Sequence, residues 1–79
     1  MTSTKVLDSV AKGVSTGAQA ITGTGAVVRC ASGSVDVMFD SVVYASIPAR
    51  DGRVFTVSAG DEIELVATND TTTAWLGEL

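Results

Sequence analysis

Twenty-five of the 79 residues are β-branched: twelve Val, ten Thr and three Ile. Such side chains lose rotamer freedom in a helix and fit the pleated surface of a strand. The eight glycines are spread at short intervals, as turn punctuation is. Together these features predict one all-β domain, a small antiparallel sandwich or barrel of six to eight short strands. A chain this short buries only about 60% of its unfolded surface. Its core is therefore thin, and association is a natural source of further stability.

The C-terminal half gives the clearest pattern. Ser41 to Ile47 is a β-rich run closed by Pro48, and Asp51-Gly52 after it reads as a hairpin turn. Arg53 to Ser58 is the next strand, with Phe55 and Val57 on one face and Val54 and Thr56 on the other. Ala59-Gly60 turns the chain. Asp61 to Thr68 then alternates, Ile63, Leu65 and Ala67 against Glu62, Glu64 and Val66. Asn69-Asp70 turns it again, and Thr72 to Leu79 is the last strand, with Trp75 and Leu76 on opposite faces. Taken in order, these four strands are expected to form an antiparallel meander. Upstream, Gly25 to Ala31 and Ser34 to Phe39 are strands with Ser32-Gly33 between them; Val35, Val37 and Phe39 face in, and Asp36, Met38 and Asp40 face out.

The first 17 residues read as an N-terminal arm or strand ahead of a single β domain over 18–79. Lys5–Ala11 fits an extended strand. Val6, Val10 and Val14 also recur at helical spacing, behind Ser3 or Thr4 as a possible cap, so a short helix is the alternative. Ala18–Thr22 is expected to add a short strand. No secretory leader and no run of the roughly 18–20 apolar residues that a spanning helix needs is present, so a soluble protein with no membrane partner is expected.

The chain contains no His and one cysteine, Cys30. Serine, threonine and thiol nucleophiles thus have no imidazole base, and no intrachain disulfide can form. Cys30 sits within a strand and reads as a buried thiol. Glu62 and Glu64 lie on one strand face roughly 7 Å apart, but acids side by side on a regular strand do not flank a sugar from both sides. Asp36 and Asp40 are about 13 Å apart, too far to share an ion. Gly23-Thr24-Gly25 is followed by a strand, so it reads as a turn and not a phosphate loop. Neither enzyme activity, cofactor nor metal is expected. A net charge of −4 argues against nucleic acid. Trp75 and Tyr44 suit either a sugar-stacking platform or packing anchors. The residues expected at a subunit interface are Val6, Leu7 and Val10 in the arm, Val42, Val43 and Tyr44 in the middle strand, and Trp75 and Leu76 at the end.

The opening Lys5-Val6-Leu7-Asp8-Ser9-Val10, the Gly/Thr/Ala-rich span to Gly25, the run Val57–Thr68 with its Ser58-Ala59-Gly60-Asp61, and the ending Trp75-Leu76-Gly77-Glu78-Leu79 resemble small β-rich virion proteins of tailed bacteriophages, nearest to the decoration (cement) proteins of the head. The resemblance is one of style over most of the chain and has no diagnostic motif. It implies a non-enzymatic structural protein, made in the host cytoplasm and carried in the virion, that binds a capsid or other virion protein as a homo-oligomer, a trimer or dimer. The alternative function is a carbohydrate- or receptor-binding β module of a fibre or enzyme.

Overall fold

A computed structural model describes residues 2–79. They form eight strands: β1 (Thr2–Val10), β2 (Gln19–Ala20), β3 (Gly25–Ser32), β4 (Ser34–Phe39), β5 (Val42–Pro48), β6 (Asp51–Thr56), β7 (Glu62–Ala67) and β8 (Thr72–Glu78). Two four-stranded antiparallel sheets result, one in the order β1-β8-β3-β6, the other β2-β7-β4-β5. Strand pairing is nested: β1 with β8, β2 with β7, β3 with β6, β4 with β5. This is a long hairpin folded over on itself, the wrapping of a jelly roll.

Alternation fixes which side of each strand enters the core. Ala26, Val28 and Cys30 of β3 face Val35 and Val37 of β4, with Ile63, Leu65 and Ala67 of β7, Phe55 of β6 and Ala74 of β8 completing the interior. Four inward positions are Ala or Cys, so the two sheets meet across small side chains. Leu7 of β1 is buried in the same core, and Val6, Val10 and Leu76 pack against its margin. Residues 2–17 are thus built into the sandwich. β1 pairs along β8, and the segment after it runs beside β7, with Gly13 N–H donating to Ala67 C=O at 2.8 Å and Thr16 N–H to Leu65 C=O at 3.0 Å. The helical alternative for this stretch is not formed. Two bulges in β1 explain the misleading spacing, because they shift which residues face inward.

The expected meander is not what forms. From β5 to β8 the chain changes sheet at every connection, so none of these four strands pairs with its neighbour in sequence. Turn signals locate reversals of the chain; they do not say which sheet receives the next strand. The Asp51-Gly52 hairpin is a related correction, since both residues lie inside β6. The reversal falls on Ala49-Arg50, where Arg50 has φ 63° and donates its N–H to Cys30 C=O at 2.8 Å. Gly52 instead serves close approach. A Cβ there would stand 3.0 Å from Arg29 Cγ and 3.2 Å from the Val28 carbonyl oxygen.

One two-residue hairpin does join β4 to β5, through Asp40-Ser41. Both residues have positive φ, 51° and 64°, the pattern of a type I′ turn. Gly33, read as the turn between β3 and β4, is the corner at which the chain passes from one sheet to the other.

Candidate functional site

Six large apolar side chains are exposed among the described residues, and four of them, Val42, Val43, Tyr44 and Val54, belong to β5 and β6. These two strands are the outermost members of their sheets on the same flank of the sandwich. The exposures are 66% for Val42, 51% for Val43, 63% for Tyr44 and 57% for Val54. Scattered exposed apolar residues are normal, whereas several on one flank make a candidate contact surface.

Tyr44 organises this flank. Its ring meets Phe39 edge-on at 5.2 Å between centroids, and Phe55 at 5.9 Å. Phe39 and Phe55 are themselves 5.9 Å apart, so the three rings close the gap between the sheets. The Arg53 guanidinium lies over both Tyr44, at 6.0 Å, and Phe55, at 5.2 Å. Beside the rings, a shallow hollow of about 250 Å³ is lined by Phe39, Tyr44 and Thr56 and by the acids Asp40, Asp61 and Glu62.

The outer faces of the sheets differ in charge. On the β1-β8-β3-β6 face, Lys5, Trp75 and Arg29 stand in one cross-strand row. The Trp75 ring has the Lys5 ammonium 5.5 Å from its centroid and the Arg29 guanidinium at 5.4 Å, an aromatic ring held between two cations. A hollow of about 470 Å³ beside Arg29 is edged by Arg50, Asp51 and Gly52. The other outer face carries Asp36, Glu62 and Glu64. Asp36 accepts a hydrogen bond from Ser46 Oγ at 2.7 Å, and Glu64 accepts one from the Ser15 hydroxyl.

The eight residues singled out in the sequence are thus distributed over three places. Val42, Val43 and Tyr44 come together on the β5 flank. Trp75 lies on an outer face, half-buried between its cations. Leu7 is in the interior at 3% exposure, and Val6, Val10 and Leu76 line the core margin. Trp75 and Tyr44 therefore make no common stacking platform, since Tyr44 packs at the gap between the sheets. Val54, Phe39 and Arg53 are members of the flank that sequence reasoning did not single out. The available signal was Val42-Val43-Tyr44 itself, three large apolar residues in a row with no alternation, in a strand without charge.

Cys30 is inward on β3. Its Sγ lies 3.1 Å from Ser32 C=O, and burial pushes the thiol pKa up, which keeps it protonated at neutral pH. Among the described residues no cluster of three or more metal-ligating side chains occurs. No protein-family model matches this chain, and no curated protein matches it.

Proposed function

We propose that this chain is a structural subunit that works by protein–protein association, and that it decorates or cements a phage capsid as a homo-oligomer. The observation that carries the reading is the clustering of Val42, Val43, Tyr44 and Val54 on one flank of an otherwise polar sandwich. Covering a Val or Leu side chain fully is worth about 1.5–3 kcal/mol, and total stabilities of small domains are only about 5–15 kcal/mol. A few such residues at a contact therefore weigh heavily in an 8.0 kDa chain. The phage assignment comes from the sequence resemblance. The jelly-roll wrapping is compatible with it, but jelly rolls serve both capsid and lectin domains, so the flank and not the fold supports the choice.

Co-sedimentation with purified heads of the phage that encodes the chain tests the reading. The parent protein is expected to pellet with heads at saturable stoichiometry. Val42→Ser with Val43→Ser, both exposed positions, is expected to weaken that binding while leaving the far-UV circular dichroism unchanged. Absence of binding by the folded parent protein would overturn the capsid assignment.

A further inference from the structure

We propose that Asp51-Gly52 is a site of spontaneous backbone modification, at which the Asp51 side chain closes on the Gly52 nitrogen and reopens as an isoaspartyl link. The inference is independent of the association reading. Such a closure needs a carboxyl close to the next backbone nitrogen, no side chain crowding that nitrogen, and a backbone that can turn locally. Gly52 N–H donates to Asp51 Oδ1 at 2.8 Å, so the carboxyl already lies against the nitrogen it would acylate. Both residues are exposed and open β6, the outermost strand of its sheet, where local opening is cheapest. Among the described residues no ion pair holds the Asp51 carboxyl.

The other aspartates lack this combination. Asp36 accepts from Ser46 Oγ at 2.7 Å, Asp61 from Ser58 N–H at 2.8 Å and Asp70 from Lys12 N–H at 3.0 Å, while Asp8 faces Lys5 Nζ at 3.9 Å. Asp40 is followed by Ser41, whose side chain crowds the nitrogen; Asp51 is the aspartate followed by glycine. Replacing that glycine would slow the closure, but packing opposes the change. A Cβ at Gly52 would stand 3.0 Å from Arg29 Cγ and 3.2 Å from the Val28 carbonyl oxygen. The step balances without a co-reactant. Gly52 N bonds to Asp51 Cγ, and the amide proton leaves with the carboxyl hydroxyl as water. Water then adds to the cyclic imide. Addition at Cγ restores Asp51; addition at the main-chain carbonyl carbon leaves the chain running through Cβ, one methylene longer. The lengthening falls between Gly52 and the corner where Arg50 N–H donates to Cys30 C=O at 2.8 Å. It therefore loosens that bond and the Cys30–Asp51 pairing, and spares the pairs from Arg29–Gly52 to Gly25–Thr56.

Prolonged incubation of the folded chain near neutral pH, followed by chymotryptic mapping, tests this directly. Cleavage after Tyr44 and Phe55 isolates Asp51 in the peptide Ala45–Phe55, apart from every other aspartate. That peptide is expected to gain a second chromatographic form of unchanged mass, a substrate for isoaspartyl methyltransferase, with a transient form lighter by one water. The folded chain is expected to react within roughly tenfold of the rate in urea, because a strand end opens cheaply. Asp51→Glu, an exposed position, is expected to abolish the new form, since closure would then need a larger ring; circular dichroism checks that the sandwich persists. In the aged protein, amide exchange at Arg50 is expected to quicken while that at Val54 and Phe55 is unchanged. Absence of the isoaspartyl form at Asp51, equal accumulation at Asp8 or Asp40, or stronger protection by folding than tenfold would overturn the proposal.

Discussion

The two flanks of the sandwich are built from the same kinds of parts and end differently. On one, β1 and β2 close the sheets. Leu7 plugs the interior, Val6 and Val10 pack at its margin, and the Glu78 carboxylate ties the loop before β3 by accepting hydrogen bonds from Thr22 N–H and Oγ1 at 3.0 Å and Gly23 N–H at 3.1 Å. On the other, the rings of Phe39, Tyr44 and Phe55 meet edge-on, with Tyr44 still largely exposed, and Val42, Val43 and Val54 lie in water. A thin core does not require this asymmetry, because the Val residues of β5 could be Thr or Ser at little cost to the folded monomer. What the difference teaches is that one flank is sealed by aliphatic side chains, whereas the other contributes Ile47 and Phe55 to the core and still leaves apolar surface in water.

The harshest test removes the corner on which both flanks depend. Gly33 has φ +71°, and a Cβ there would stand 2.8 Å from the Thr72 Cα and strike the Thr72 hydroxyl as well. Thr72 is buried, and its hydroxyl donates to Asn69 C=O at 2.7 Å, so neither backbone nor side chain can yield cheaply. Gly33→Ala is expected to cost about 3 kcal/mol or more, combining steric overlap with left-handed backbone strain, measured by urea denaturation. A loss below about 1 kcal/mol would mean that the corner relaxes easily.

The next test sets the flanks against each other. Leu7→Ala on the closed flank is expected to cost about 2–4 kcal/mol, as cavity-forming substitutions do. Val42→Ala on the open flank is expected to change monomer stability by no more than about 0.5 kcal/mol. Both are read from thermal or urea melts at concentrations where the chain is monomeric. Equal costs would erase the distinction between the flanks.

A smaller effect is expected on the outer face. Trp75→Ala removes an aromatic ring contacted by Lys5 and Arg29, each contact worth about 0.5–1 kcal/mol at exposed sites. A destabilisation of about 1–2 kcal/mol, reduced in a Lys5→Met background, would place the role of Trp75 within the chain. A Trp75→Ala protein of full stability that had lost its association would instead move the contact surface to this face.

Much of the fold was readable because alternation survives burial. The inward sets Ile63-Leu65-Ala67, Val35-Val37-Phe39 and Phe55-Val57 are period-two patterns that no helix shares. The connectivity was not readable, because a turn residue records a reversal and not a destination. Gly52 shows why. The same residue type that marks a hairpin is also the one that lets β6 lie close to Arg29 and Val28. The true hairpin at Asp40-Ser41 lacks glycine and so carried a weaker signal, although Asp tolerates positive φ. The candidate site was half legible. Val42, Val43 and Tyr44 stand out by breaking alternation, whereas Val54 joins them only because β5 and β6 become neighbouring edges of different sheets.

The finest distinction between the flanks is one of pH. On the closed flank, hydrogen bonds from Gly23 N–H, then from the Thr22 side chain and N–H, hold the Glu78 carboxyl below the ordinary glutamate range. Its pKa is therefore lower in the folded than in the unfolded chain. The linkage follows with a fixed sign: the contribution is complete above the unfolded glutamate pKa and is lost as pH falls through the folded value. Glu78 is only partly buried, so the effect is small, and the chain carries eight other acidic side chains. A difference measurement isolates it. Glu78→Gln is expected to lower the melting temperature slightly at neutral pH, and the gap from the parent protein is expected to close as the solution is acidified past the ordinary glutamate range. Amide exchange at Thr22 and Gly23 should quicken over the same interval, beyond the intrinsic pH dependence that the Gln variant reports, while exchange on β5 should not. A gap that stayed constant with pH would show that the Gln variant differs through packing and not charge, and the clamp would cease to distinguish the closed flank from the open one.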